Sequence, residues 1–181
     1  GSLTNSTVKG SVSVAYDYVI DNSINGSVFV CSSNIDGNIF SGSKLETRYS
    51  FVYNNEVSST TVYSYSDIQK YVTYNGCFLY LGYYSSSDSS MAPSGLDNIQ
   101  FNNCIFPRFA ADIKESNFIN CGPITVESDR SIQEKYICTG NYWGDINTVE
   151  IKSKGEGKDL SFITDYYNNF NKSRIDYSKY K

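Results

Sequence analysis

Seventeen tyrosines and no histidine are the features of this 181-residue chain that bear most directly on chemistry. The absence of histidine removes Ser-His-Asp and Cys-His catalysis, His-ligated zinc and any imidazole general base. Cysteine offers little more: Cys31, Cys77, Cys104, Cys121 and Cys138 show no CxxC or other metal-ligand spacing. An odd number leaves at least one thiol unpaired unless it joins another chain. The cysteines are expected as small buried hydrophobes, and neither a metal nor a cofactor is expected.

Carboxylates remain as candidates for catalysis, because a glycosidase needs only two of them roughly 5 to 10 Å apart. Asp97 with Asp112, and Glu115 with Asp129, are the pairs that a repeating fold could bring together; the alternative is that all four are solvated surface groups. The arginines Arg48, Arg108, Arg130 and Arg174 are scattered, and no catalytic residue is assigned.

Tyrosine is more suggestive. Tyr63, Tyr65, Tyr71, Tyr74, Tyr80, Tyr83 and Tyr84 fall in one short segment, followed by a polar stretch from Ser85 to Gly95 that reads as a protruding loop. An aromatic ring with a polar tip stacks on a sugar face and keeps a hydrogen-bonding handle. Tyr63, Tyr65, Tyr74, Tyr80, Tyr83 and Tyr84 are therefore the candidate ligand-binding residues. The alternative is that tyrosine fills strand positions, where its propensity is high. Tyr63 and Tyr65 share a strand face; Tyr83 and Tyr84 cannot, so at least one of them points outward.

The elements that position these residues are short strands. Val12–Val14, Ser27–Val30, Thr60–Tyr65, Cys77–Leu81 and Ile124–Val126 are β-branched or aromatic and bounded by turn residues. A recurring pattern, apolar-x-x-x-Asn-x-apolar, links them. It occurs at Tyr18/Asn22/Ile24, Phe51/Asn55/Val57, Tyr71/Asn75/Cys77, Ile99/Asn103/Ile105, Ile113/Asn117/Ile119 and Ile137/Asn141/Trp143, with a degenerate copy at Asn38/Phe40. Asn tolerates a left-handed corner, and its side chain can bond backbone or stack on Asn in the next coil, with the flanking apolar residues pointing inward. Uneven intervals between the Asn positions suit a solenoid whose turns vary in length. Toward the end, Leu160, Ile163, Tyr167 and Phe170 take helical spacing, with Asp159 or Ser161 as N-cap, and Arg174–Tyr177 alternates as a last strand. The expected fold is all-β: a right-handed parallel β-helix over residues 3–158, with a short capping helix and strand over 159–181 that close the open end of its core.

The run Gly140-Asn141-Tyr142-Trp143-Gly144-Asp145 with Ile146–Ile151, then Ile163–Phe170 and Arg174–Tyr177, resembles the C-terminal end of pectin-lyase-like parallel β-helix repeat proteins. In that family the Asn-Tyr/Trp-Trp-Gly motif opens the final coil. The resemblance covers roughly the last quarter of the chain, which departs from it by a charged insertion, Lys152–Lys158. It implies that Trp143 packs in the last coil. It also implies a choice between polysaccharide lyases or hydrolases and adhesin-like microbial surface proteins in which the solenoid is a stalk or glycan-binding surface.

Formal charge is −4, from 15 Lys and Arg against 19 Asp and Glu, with no basic run, so nucleic acid is not expected as a partner. No apolar stretch spans a bilayer, so no membrane insertion is expected. Few charges and many Ser, Asn and Tyr residues point to a secreted or cell-surface location. Gly1-Ser2 reads as a cloning scar, with a signal and upstream domains of the parent protein trimmed away. The leading expectation is a non-catalytic solenoid that mediates adhesion or binds a glycan or another host or microbial cell-surface ligand. The alternatives are the C-terminal coils of a polysaccharide-degrading enzyme, or a structural spacer or tail-fibre segment.

Overall fold

A single repeating device turns the chain. A short extended segment ends at one residue in the left-handed region, and the next residue points its side chain inward and starts a new segment. In the computed structural model, which describes residues 1–82, 94–127, 135–155, 158–167 and 169–181, this device winds a parallel β-solenoid of about seven turns. Each turn crosses three faces. The first face holds Leu3–Thr4, Tyr18–Ile20, Asn34–Asp36, Phe51–Tyr53, Ile68–Lys70, Ser94–Asp97 and Ala111–Lys114, stacked in that order. The second face runs from Thr7–Lys9 through Glu56–Ser58 and Thr73–Asn75 to Asn117–Ile119. The third runs from Val12–Ala15 through Thr61–Tyr65, Phe78–Gly82 and Ile105–Phe109 to Ile124–Val126. Ser23–Cys31 and Ile39–Arg48 are continuous across the corner between the second and third faces. That corner is tight: a Cβ at Gly42 would lie 2.4 Å from Gly26 O, so the coils pass there only as glycine on glycine.

The corner into the second face explains the asparagines. Asn5, Asp21, Asn54, Tyr71, Asn98 and Glu115 occupy the left-handed region there, as do Gly37 and Gly140. The residue after each points inward, and four of these are Asn22, Asn38, Asn55 and Asn141, all buried. Asn38 Nδ2 donates to Val19 O and Asp36 O, both at 2.8 Å, and to Asn55 Oδ1 at 2.9 Å. Asn38 Oδ1 in turn accepts Asn22 N at 3.0 Å. Asn therefore serves as a side-chain ladder, while its left-handed predecessor makes the turn. The remaining asparagines of the expected pattern lie elsewhere: Asn103 is a left-handed residue at another corner, and Asn75 and Asn117 sit half-buried within strands.

This correction regularises the repeat. Register steps of 16 or 17 residues, such as Ser23 to Ile39, Ile39 to Glu56 and Glu56 to Thr73, are interrupted by two long ones, Thr73 to Gln100 and Asn117 to Tyr142. The first apolar member of several copies also points outward, not inward as expected: Tyr18 and Phe51 are 49% and 45% exposed, whereas their neighbours Val19 and Val52 are buried. The serine-rich stretch falls largely outside the described residues, but its end, Ser94-Gly95, is already strand.

The core is aliphatic in the early coils and aromatic in the later ones. Phe101 stacks between Tyr74 (5.6 Å) and Phe118 (4.8 Å), and Phe118 on Trp143 (4.5 Å), so Trp143 packs in the last coil. The helix lies at Asp145–Lys154, directly after that motif, and not at 159–170. There Leu160, Phe162 and Ile163 are buried, and Ile163–Thr164 joins the third face by pairing with Ile124 and Thr125. An edge of open backbone groups outweighs helical spacing, and Phe170, expected on the buried side of that helix, is 77% exposed. The first residues of the charged insertion form the last helical turn, where Lys152 and Lys154 suit the negative end of the dipole. Arg174–Asp176 is a strand as expected, paired with Lys135–Ile137.

One polar cluster sits inside this core. Asp67 is 1% exposed; its carboxylate accepts Ser50 N (2.8 Å), Thr47 Oγ1 (2.5 Å) and Ser64 Oγ (2.7 Å). Gln69 Nε2 donates to Ser64 Oγ, and Tyr74 OH donates to Gln69 Oε1. Burial raises the Asp67 carboxyl from 3.8 to about 6, although these donors oppose the rise.

Two outcomes follow in urea unfolding. Asn38→Ala strands donors and acceptors on three coils and costs about 3 kcal/mol, whereas Asn25→Ala, on the exposed face, costs less than about 0.5 kcal/mol. For Asp67, the folded state keeps its proton up to about pH 6 and the unfolded state releases it near 3.8. This stabilising contribution is complete below the ordinary value and is lost as pH rises through that window, by about 3 kcal/mol. Asp67→Asn removes that slope, so the free-energy difference between wild type and variant changes between pH 4 and 6.5 and is flat above it.

Candidate functional site

The outer surface of the third face carries two columns of side chains in register. The first is Phe29, Glu46, Tyr63, Tyr80 and Arg108; the second is Cys31, Arg48, Tyr65 and Gly82. Alternation along each strand turns these residues outward while Val30, Leu45, Thr47, Val62, Ser64, Leu79 and Leu81 line the core.

Within the columns, Tyr63 and Tyr80 stack at 4.8 Å, and Tyr63 meets Tyr65 at 6.4 Å. Lys44 Nζ lies 5.1 Å from the Tyr63 ring on the side opposite Tyr80, because Lys44 belongs to the preceding coil and Tyr80 to the following one. Both faces of the Tyr63 ring are thus covered, and Tyr63 and Tyr80 offer ring edges and two phenol hydroxyls one coil apart, at about 4.8 Å. The Tyr63 ring, expected to offer a face, instead presents its edge and hydroxyl.

Charge flanks the tyrosines on both sides. Glu46 Oε2 is 2.6 Å from Lys44 Nζ, and Glu46 Oε1 accepts Arg48 Nε at 2.7 Å. Burial would raise the Glu46 carboxyl, but these cations hold it below its ordinary value. The Arg48 guanidinium also rests 5.0 Å from the Phe29 ring. Below the tyrosines Arg108 occupies the space that Gly82 leaves open: a Cβ at Gly82 would lie 3.0 Å from Arg108 Nε. That nitrogen is buried without a hydrogen bond, 3.8 Å from Glu127 Oε1. Partial burial raises the Tyr65 phenol, so it stays a neutral donor. The strip sets the hydroxyls of Tyr63, Tyr65 and Tyr80 between a Lys-Glu-Arg cluster and an arginine.

Of the candidate ligand-binding residues, Tyr63, Tyr65 and Tyr80 come together here. Tyr74 does not: it points into the core, where burial raises its phenol well above the ordinary value and its OH is committed to Gln69. Tyr83 and Tyr84 lie outside the described residues. Phe29, Lys44, Glu46, Arg48 and Arg108 were not picked out from the sequence, yet the signal existed: positions 29, 46, 63 and 80, and 31, 48, 65 and 82, are spaced by one regular coil of 17.

The described members of the carboxylate pairs are otherwise engaged. Asp97 and Asp112 lie on adjacent strands of the first face, offset by two residues, a diagonal of about 7–8 Å. Asp97 pairs with Lys70 at 3.5 Å, and Asp112 Oδ1 accepts Ile137 N at 2.8 Å. Glu115 pairs with Lys181 at 2.9 Å, and Asp129 lies outside the described residues. Glu46 and Glu127 are four strands apart, roughly 19 Å. No group of three or more His, Cys, Asp or Glu side chains arranged to hold a metal occurs among the described residues.

The class defined by this geometry is a parallel β-solenoid with a tyrosine and arginine strip on one outer face. No protein-family model matches the chain, no curated protein matches it, and no solved structure matches it.

Glu46→Gln weakens the pairs to Lys44 and Arg48 and frees both cations. The fold tolerates it, with a loss of about 1 kcal/mol or less in urea unfolding, and the Tyr65 phenol titrates at lower pH by ultraviolet absorbance because a neighbouring negative charge is gone.

Proposed function

We propose that the chain is a non-catalytic β-solenoid of a secreted or cell-surface protein, of the pectin-lyase-like, adhesin-like kind that its C-terminal motif resembles. On this proposal it acts in adhesion by binding glycan, or a similarly hydroxyl-rich surface ligand, along the third face. The observation that carries it is the in-register row of Tyr63, Tyr80 and Arg108 beside Tyr65 and Arg48. Two phenol hydroxyls one coil apart, with a third beside them on Tyr65 and guanidinium donors at the border, suit an extended polar chain lying along the solenoid axis. Shallow and solvent-facing, such a strip suits weak, multivalent contact better than an enclosed reaction site.

A glycan array probed with the whole chain tests this. Binding is expected, with Tyr63→Ala and Tyr80→Ala each weakening it about tenfold, equivalent to about 1.4 kcal/mol, and Arg108→Ala weakening it most for acidic glycans. Glycan binding that these variants leave unchanged would reject the strip. Turnover of an acidic polysaccharide, lost in Asp97→Asn or Asp112→Asn, would replace binding with the enzyme alternative, whose supporting observation is the placement of those residues on adjacent strands.

A further inference from the structure

Three of the five thiols form a column at the corner between the second and third faces. Cys77, Cys104 and Cys121 each follow a left-handed residue, Gly76, Asn103 and Asn120. Backbone bonds from Ile105 N to Cys77 O (3.0 Å) and from Gly122 N to Cys104 O (2.8 Å) hold them in register. Every member repeats the same contacts. Cys104 Sγ lies 3.4 Å from both Tyr74 O and Asn102 O, and Cys121 Sγ lies 3.5 Å from Phe101 O and 3.6 Å from Ile119 O. Adjacent strands about 4.8 Å apart fall within the Cα separation of about 4.4–6.8 Å that a disulfide bridges.

The column has a buried end and an accessible end. Cys77 and Cys104 are buried, whereas Cys121 is half-exposed and lines a surface groove of about 320 Å³ with Asn120, Tyr142 and Asp145. Proximity to Cys104 holds the Cys121 thiol below its ordinary value, while proximity to Cys121, with burial, pushes the Cys104 thiol up to about 12. The first proton to leave the pair therefore leaves from the end that a reagent can reach.

We propose that Cys121 and Cys104 are a redox-active dithiol whose oxidant is a low-molecular-weight disulfide, with Cys121 as the attacking and Cys104 as the resolving thiol. The Cys121 thiolate attacks one sulfur of the small disulfide, forming a mixed disulfide and expelling one thiolate. Cys104 then attacks Cys121 Sγ, breaks the mixed disulfide and expels the second thiol, which takes up the Cys104 proton. Two protein thiols are oxidised to one disulfide, and the small disulfide is reduced to two thiols. Cys31 serves as an internal control: it is half-exposed, but its neighbours in register are Ala15 and Arg48, so an adduct there has no thiol to resolve it.

The test treats the reduced whole chain anaerobically with oxidised glutathione and maps the products by mass spectrometry. The expected products are a glutathione adduct retained on Cys31 and a Cys104–Cys121 cross-link, reversed by dithiothreitol and raising the thermal midpoint. In Cys104→Ser the adduct stalls on Cys121; in Cys121→Ser the column stays unmodified while the Cys31 adduct persists. Oxidation confined to Cys31, or a Cys77–Cys104 cross-link, would overturn the proposal. The wild-type map decides this even if a variant fails to fold.

Discussion

In a parallel solenoid every backbone N–H and C=O of a coil must find its partner on the coil before or after it, including at the corners where the chain changes direction. Here the left-handed corner residue still donates to the next coil, as Asp21 N does to Asp36 O and Asn54 N to Lys70 O. The inward residue after it hands its own N–H to a side chain one coil on: Asn22 to Asn38, Asn38 to Asn55, and at another corner Asp17 to Ser33 and Ser33 to Ser50. Register is thereby fixed coil by coil, and the columns inside and outside the molecule follow from it.

Because register is shared by all faces, one repeat specifies two independent surfaces. The inward positions carry aliphatic residues, then stacked aromatics, with Asp67 as the buried exception that its hydroxyl and amide donors accommodate. The outward positions on the third face are released from packing and hold the tyrosines and arginines. A tyrosine's role is therefore set by its place in the coil: Tyr74 and Tyr80 are six residues apart, yet one ring is sealed beside Phe101 and the other stacks on Tyr63 at the surface.

Much of this was legible in the sequence, and the failures have physical causes. β-Branched runs, asparagine at corners and the Gly140–Asp145 motif pointed to a solenoid, and Trp143 packs where that motif implied. The coil length was obscured because asparagine occupies three kinds of position, the ladder at Asn38, the left-handed corner at Asn103 and the strand interior at Asn117, which one pattern merged. Helix placement went astray for a related reason. Leu160 and Ile163 match a helical period, but the open edge at Ile124 draws Ile163–Thr164 into a strand. The real helix buries only Thr148 and Ile151, too little for its spacing to stand out. Tyr63, Tyr65 and Tyr80 were found by composition, whereas their charged neighbours required the period.

The two long coils leave the regular path at the same corner, between the third and first faces: one between Gly82 and Ser94, the other between Glu127 and Lys135. Past the first the register resumes at once, with Ile68–Lys70 paired to Gly95–Asp97 as closely as to Phe51–Tyr53, and past the second it resumes where Asn117 meets Tyr142. A longer coil therefore adds nothing to the rise per coil. Height in this molecule is a count of turns, roughly 34 Å for seven, so it measures out a distance that insertions in the sequence do not alter.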